Sequence, residues 1–473
     1  MENSLGIAIM AAGKGTRLKS RRPKVLHEIG GQALLLHVIA AARTIAPAHE
    51  IYCIIGHEAG KVSAAVTHTG VQFVLQTEQK GTGHAIQQLK RHFESTGDMP
   101  PEYLMVLSGD VPLIRPDTLA SLFNWHTYQE AAMTILTAIP PNPLGYGRIN
   151  RKPLPDGTPG PEVLSITEQK DLPAGDPGSP EINSGIYCFQ TKTLFKNLDR
   201  LSNRNATGEF YLTDVASLLV QQGERVVAIP VEDINEVLGA NTIAEMMHLD
   251  AAMRLATANK LMSQGVTIFR PDTCVIDAQV EVGPDTIIEP YVQLLGATRI
   301  GTDCRIRSYT VVQNSVLGAN VTVRNGCILD DTQVADGAIL GPYAHLRPGS
   351  DIGPSAHVGN FVETKKVRLG KGSKANHLTY LGDAVIGDGV NIGAGVITAN
   401  YDGKNKYVTT IGDGVFVGSD STLVAPITVG DNALIAAGST LTHDVPADSL
   451  AVARTRQVTK PDWVAKRRQV PKP

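Results

Sequence analysis

Aliphatic residues recur at every sixth position through Val282, Ile288, Leu294, Ile300, Ile306 and Val312, and again through Ile411, Val417, Leu423, Val429, Ile435 and Leu441. A helix repeats its faces every 3.6 residues and a flat strand every two, so a period of six fits neither. It fits a parallel β-helix, in which short strands stack coil on coil and each aliphatic side chain enters one continuous column. With three hexapeptides per coil, residues 265–446 predict about ten coils, on the order of 45 Å at ~4.8 Å per strand. Two stretches depart from the period. "GNFVETKKVRLGKGSKANHLTYLGD", between Val358 and Leu381, crowds polar and charged residues, and "TANYDGKNKYVTT", between Ile397 and Ile411, inserts extra chain. Both are expected to form loops on one face, where a solenoid commonly binds its ligand.

The first half has another grammar. Up to residue 242, apolar runs ("LGIAIM", "IYCIIG", "YLMVLSGDVPL", "MTILTAI", "GIYCFQ", "RVVAIPV") alternate with helical periodicity. That alternation predicts an α/β domain with a mostly parallel sheet covered by helices. Residues 243–264, rich in Ala, Leu and Met, read as a connecting helix. The expected organisation is therefore 1–242, a linker helix 243–264, a β-helix 265–446 and a tail 447–473. A chain of 473 residues is too long for a single core, in keeping with this division.

A net charge of -3 provides no general basic field for nucleic acid or an acidic membrane. Five scattered cysteines, without a C-x-x-C pair, point to neither a disulfide framework nor a zinc site, and favour the reducing cytoplasm. No apolar run approaches the ~18 residues of a membrane span, and no integral membrane contact is expected.

"IMAAGKGTRLKSRRPKVL" lacks the frame of a Walker loop, because no Ser or Thr follows a G-K pair. The small residues Ala11, Ala12, Gly13 and Gly15 still let backbone amides approach phosphates, and Arg17 and Lys24 supply cations suited to a triphosphate. Asp110 closes the run "YLMVL" and reads either as a turn residue or as a magnesium ligand, hard cations taking carboxylate oxygen. His377 lies in the polar stretch with Arg347, Lys365 and Tyr380 at neighbouring coil positions. It reads as a structural histidine or as a general base whose tautomer Glu363 fixes. Arg347 and Lys365 read as a phosphate grip or a solvated basic patch.

The motifs "AAGKGTR", "GTGHA", "GYGRI", "EINSGIY" and "GEFYLTD" resemble the sugar-1-phosphate nucleotidyltransferases. With "LRPGS", "HVGNFVETKK", "NHLTYLGD", "VNIGAG", "NYDGKNK" and "VFVGSDSTLVAP" added, the whole chain resembles the bacterial family of bifunctional N-acetylglucosamine-1-phosphate uridyltransferases and glucosamine-1-phosphate N-acetyltransferases. That resemblance implies a Rossmann-like nucleotidyltransferase domain, a left-handed parallel β-helix, a cytoplasmic homotrimer, and synthesis of the UDP-N-acetylglucosamine used for peptidoglycan and lipopolysaccharide. It implies that UTP and N-acetylglucosamine-1-phosphate lie among Met10, Ala11, Ala12, Gly13, Lys24, Gln76, Gly81, Thr82, Ser108, Gly109, Asp110, Gly147, Glu168, Asn183 and Asn241, with Mg2+ on Asp110 and Asn241. In the second half it places glucosamine-1-phosphate on Arg347, Lys365, Tyr380 and Asn391, with His377 as base. Acetyl-CoA falls to Ala394, Asn400, Tyr401, Ser419, Ala437 and Arg454. The family commonly has Tyr at Ser108 and Gly at Asn376, changes expected to touch nucleotide contacts and the orientation of the base. Two rivals stand beside this reading. One is a glucose-1-phosphate nucleotidyltransferase whose solenoid only assembles subunits; the other is a regulatory nucleotide-exchange subunit with a degraded site.

Overall fold

The computed structural model describes residues 4–173, 175, 177–205 and 207–468. The chain divides into two compact units, Met1–Met253 and Arg254–Pro473. The division falls inside the helix Ile243–Ser263. That helix opens on a capping box: Thr242 Oγ1 accepts from Glu245 N, and the Glu245 carboxylate accepts from the amides of Asn241 and Thr242.

In the first unit, the runs Ile51–Ile55 and Met133–Ala138 are buried at every position, as strands covered on both faces must be. The sheet has nine strands in the order Gln72–Leu75, Ile51–Ile55, Leu5–Ala11, Tyr103–Ser108, Ile182–Gln190, Met133–Ala138, Val226–Pro230, Pro159–Thr167, Arg148–Pro153. The first four are parallel. From Leu5–Ala11 the chain winds outward to one side for two strands, then returns to the other side at Tyr103–Ser108. The carboxyl ends of these two strands therefore flank a crevice at the point where the winding reverses.

The far half is less parallel than the apolar runs suggest. Ile182–Gln190 runs antiparallel to both neighbours, and the hairpin Arg148–Thr167 closes the edge. The hairpin and Gln72–Leu75 carry partly exposed, polar positions, which leaves them without an apolar signature. Two helix layers complete the core. Ile7 and Ile9 pack with Leu35, Val38 and Ile39 on one face, and Ala8 packs with Ile86, Leu89 and Phe93 on the other.

The second unit is a stack of short parallel strands. Eleven form one face, and a further sheet of seventeen supplies the other two. All twelve residues of the two sixfold series are buried, so the period is the inward column itself. One line of corners uses Asp303, Asn320, Gly337, Ser355, Gly372 and Gly389, all at positive φ, where Gly, Asn and Asp carry the smallest penalty.

The expected loop between Val358 and Leu381 does not exist. His357–Asn360, Glu363–Leu369, Lys374–His377 and Tyr380–Ile386 are strands that continue the stack. Inward slots accept small or hydrogen-bonded residues as well as aliphatic ones: Ala375 is buried, and so is Thr364, whose hydroxyl meets Ser350 Oγ at 2.8 Å. The polar residues that mask the period face outward. The second interruption is a real excursion, a short turn closed by a bridge between Tyr401 and Lys406.

Candidate functional sites

At the crevice of the first unit, a cavity of about 580 Å³ is lined by Met10, Ala11, Ala12, Gly13, Lys24, Gln76, Gly81, Thr82, Ser108 and Asp110, which the sequence singled out, and by Lys14, Gln79 and Glu209, which it did not. Gly109 lies against its wall, its amide donating to Met10 O at 3.0 Å. Gly81 is required by geometry: its φ is +103°, and a Cβ would stand 2.5 Å from Phe210 O. That close approach joins "GTGHA" to "GEFYLTD", which also meet where Thr82 Oγ1 accepts from Leu212 N at 3.0 Å.

Lys24 and Asp110 form an ion pair with side chains only 15 % and 16 % exposed. Asn241 Oδ1 accepts from Lys24 Nζ at 2.8 Å and from Arg17 Nη2 at 2.6 Å, so residues far apart in sequence converge. Ser108 Oγ donates to Asp110 Oδ1 at 2.8 Å, which gives the unusual serine a definite partner. Burial pushes the Asp110 carboxyl up, but the charge and hydrogen bond of Lys24, with the Ser108 hydroxyl, hold it below the usual carboxylate range. Two hard oxygens already shared by one ammonium make a donor set that suits a divalent cation with its other positions on phosphate and water.

A second group lies along the same domain. Asn183 N donates to Gly147 O at 2.9 Å, and the open side of Gly147 faces Glu168 Oε1 and Asn183. Burial raises the Glu168 carboxyl, which Thr213 Oγ1 partly offsets with a 3.1 Å hydrogen bond. Sequence reasoning also missed Tyr146, whose phenol burial pushes up and which feels Glu245, Asp110 and Arg17.

In the second unit, residues from three separate motifs fall on one corner together with Ala437. Gly395 N donates to His377 O at 3.4 Å, Asp420 N to Ala394 O at 2.7 Å and Gly438 N to Ser419 O at 2.8 Å; Arg454 Nη1 then reaches Ala437 O at 2.7 Å. His377, Ala394, Ser419 and Ala437 thus form a vertical column, crowned by Arg454. His377 is exposed. Its expected partner Glu363 is engaged elsewhere: Glu363 Oε1 accepts from Arg347 Nη1 at 2.8 Å, and no hydrogen bond among the described residues joins Glu363 to His377. The strand geometry explains this correction, since Glu363 points from a flat face, paired with His345 and Tyr380, while His377 occupies the corner.

Tyr380 lies over Gly382, and Asn391 pairs in register with Lys374 on another face. The insertion "NYDGKNK" brings Lys406 against Lys365, and this neighbouring ammonium lowers the Lys365 pKa, with Arg347 adding to the effect and Asp383 opposing it. Asn400 is tied to Asp383, and Tyr401 closes the turn on Gly403 O at 2.6 Å. Cations pressed this close favour an anion between them. Asn376 carries a buried Oδ1 without a hydrogen-bond partner among the described residues.

An α/β nucleotide crevice with a Lys–Asp–Asn centre, followed by a hexapeptide β-helix, defines a nucleotidyltransferase fused to a left-handed β-helix transferase. The MobA-like NTP transferase domain matches residues 7–157 and the hexapeptide repeat of succinyl-transferase matches residues 408–443. The bifunctional protein GlmU of Koribacter versatilis is 58 % identical over 462 residues, covering 98 % of this chain and 97 % of its own. Those of Trichlorobacter lovleyi and Shouchella clausii are 46 % and 43 % identical over 97 % of this chain and 98 % of theirs. The chain belongs to the GlmU family of bifunctional proteins.

Proposed function

We propose that this chain makes UDP-N-acetylglucosamine in two steps, acetylating glucosamine-1-phosphate in the β-helix and then transferring uridylyl from UTP in the α/β domain. The observation that carries the reading is the co-occurrence of the Lys24–Asp110–Asn241 centre with the corner column His377, Ala394, Ser419 and Ala437. A solenoid used only for assembly has no need of an exposed histidine at such a corner or of Lys365, Lys406 and Arg347 drawn together, and a degraded exchange subunit has no need of the centre.

In uridylyl transfer, a phosphate oxygen of N-acetylglucosamine-1-phosphate attacks the α-phosphorus of UTP, and the bond to the bridging oxygen breaks to release pyrophosphate. The nucleophile is already an anion, so alignment and charge neutralisation are the needs. Lys24 and Arg17 converge on Asn241 and supply that positive field. Asp110 and Asn241 would hold Mg2+, which neutralises the triphosphate when bound. Gly147, Glu168 and Asn183 would take the amino sugar, leaving the rest of the crevice to the nucleotide.

In acetyl transfer, the glucosamine amine attacks the thioester carbon of acetyl-CoA. His377 removes the amine proton, the carbon–sulfur bond breaks, and coenzyme A leaves as thiol. Arg347 and Lys365 would bind the sugar phosphate, joined by Lys406; Tyr380 and Asn391 would line the acceptor. Ala394, Asn400, Tyr401, Ser419, Ala437 and Arg454 would hold acetyl-CoA, with Ser419 near the developing oxyanion. The β-helix is taken to assemble as a homotrimer. Among the described residues no helix is long and apolar enough to cross a membrane, and a cytoplasmic location suits all four substrates.

The test is an assay of the full chain with UTP, acetyl-CoA, Mg2+ and glucosamine-1-phosphate that follows thiol and pyrophosphate separately. Release of both, with pyrophosphate dependent on acetylation, is expected. Pyrophosphate without thiol, even when N-acetylglucosamine-1-phosphate or glucose-1-phosphate is supplied, would refute the acetyl half and favour the assembly-only solenoid.

A further inference from the structure

We infer that His84 is a positioning residue that turns the Gln76 amide so that the crevice offers an acceptor to the pairing edge of the nucleobase, and that it thereby sets uracil over cytosine. The inference rests on the uridylyl-transfer reading and deepens it.

Gln76 is only 3 % exposed, and the part it shows lines the crevice. Its backbone is pinned by a 2.8 Å bond from its amide to Ile55 O. Its side-chain Nε2 lies 3.1 Å from Gly81 O and 3.1 Å from His84 Nδ1. A backbone carbonyl only accepts, so the group facing Gly81 must be the NH2 and cannot be the amide oxygen. The second hydrogen of that NH2 meets Nδ1, which must accept. His84 is therefore neutral with its proton on Nε2. Gln88 Nε2 stands 3.0 Å from His84 Nε2 and 3.4 Å from His84 O, so the Nε2 proton finds an acceptor when the Gln88 amide turns its oxygen to the ring and gives up the longer contact to His84 O.

Both Gln76 hydrogens are then spent inside the wall. Among the described residues no donor reaches its Oε1, and that atom is not sealed from solvent. It opens instead on the crevice that Gln76 lines. An acceptor there matches the N3–H of uracil and opposes the unprotonated N3 of cytosine.

The same wiring makes the preference depend on protonation. An imidazolium donates from both nitrogens, so Nδ1–H would confront the Gln76 NH2. Turning the amide to relieve this would set its oxygen against Gly81 O, so protonation leaves the Gln76 side chain without a satisfied orientation in the wall and the crevice loses its fixed acceptor. Burial first, then Arg91 on its own helix and Lys80 on the preceding loop, disfavour a charge on the ring, while the Glu78 backbone carbonyl and then its carboxylate favour it; Glu209 lines the same crevice from another segment. Burial of the ring, which is 9 % exposed, adds to the two cations and lowers its pKa, so the acceptor orientation holds at neutral pH.

The experiment measures kcat/KM for pyrophosphate release from UTP and from CTP, with N-acetylglucosamine-1-phosphate and the full chain, for wild type, His84→Phe and His84→Asn. Phe removes the acceptor, while the Asn side-chain oxygen sits where Nδ1 was. The UTP/CTP ratio is expected to fall by ~10- to 100-fold in His84→Phe and to recover in His84→Asn. The wild-type ratio is expected to decline as pH drops from 8 to 5. A merely structural histidine would change activity with both nucleotides alike. A folded His84→Phe whose ratio stays within about twofold of wild type overturns the inference, and so does a wild-type ratio flat from pH 8 to 5, whichever variant folds. Wild-type enzyme that fails to use UTP, or does not prefer it, refutes the uridylyl reading itself, a separate result.

Discussion

Replacing Asp110 by Asn isolates the charge at the centre of the crevice. The side chain keeps its size and can still accept from Ser108, but Lys24 loses its anion and keeps only Asn241. Two unit charges ~4 Å apart interact by about 4 kcal/mol at an effective dielectric constant of ~20. A loss of that size in the transition state is about 10³-fold in rate, close to the ~10²- to 10³-fold measured when one preorganised contact is removed elsewhere. Asp110 is also a proposed metal ligand, so uridylyl transfer should fall by at least ~10³-fold. Acetyl transfer should stay within twofold of wild type, because its residues belong to the other unit. The stability effect is smaller, about 1–3 kcal/mol for a partner left unpaired in a mostly covered site.

That stability term has a definite pH dependence. The folded Asp110 pKa lies below its unfolded value, so its contribution is complete above the unfolded pKa and lost as pH falls through the folded one. Thermal melting of wild type and Asp110→Asn should therefore differ at pH 7 and converge in acid. The assay is pyrophosphate release beside thiol release on the same preparation. Uridylyl transfer within tenfold of wild type would refute the argument, and an equal loss of both activities would mean a folding defect instead.

His377→Ala should slow thiol release by ~10²-fold or more and leave pyrophosphate release from N-acetylglucosamine-1-phosphate intact; near-normal thiol release would remove His377 from the chemistry. Lys406→Ala, by removing one of the three cations set around the sugar phosphate, should raise the KM for glucosamine-1-phosphate more than it lowers kcat of the acetyl step, and steady-state kinetics decide this. Glu168 has a folded pKa raised by burial, so its ionisation opposes folding as pH rises through that value. Glu168→Gln should accordingly melt higher than wild type at pH 7.5, with the gap closing below pH ~4, while its KM for N-acetylglucosamine-1-phosphate rises; calorimetry across pH checks the first part.

Much of the architecture was legible because it rests on local periodicity. The sixfold series needs no long-range information: each aliphatic residue marks its own inward slot, and all twelve are buried. The fully buried strands Ile51–Ile55 and Met133–Ala138 announce themselves by continuous apolar runs. Where burial is one-sided the signal fades, which is why the Arg148–Thr167 hairpin went unread. Between Val358 and Leu381 outward polarity disguised a stack that Thr364 and Ala375 still fill.

The candidate sites divide along the same line. Local pattern alone carried the two architectures and the residue types on hand for chemistry: glycines and small residues for close approach, Lys24, Arg17 and Asp110 for a triphosphate, His377 for a proton. Which side chains meet was settled by the packing of distant segments. It turned Glu363 to Arg347 instead of His377, carried Lys406 to Lys365, and set His84 behind Gln76. The reason is physical: periodicity reports which way one side chain faces, whereas a hydrogen bond or ion pair depends on the register between segments, and the chain fixes that register only when it packs.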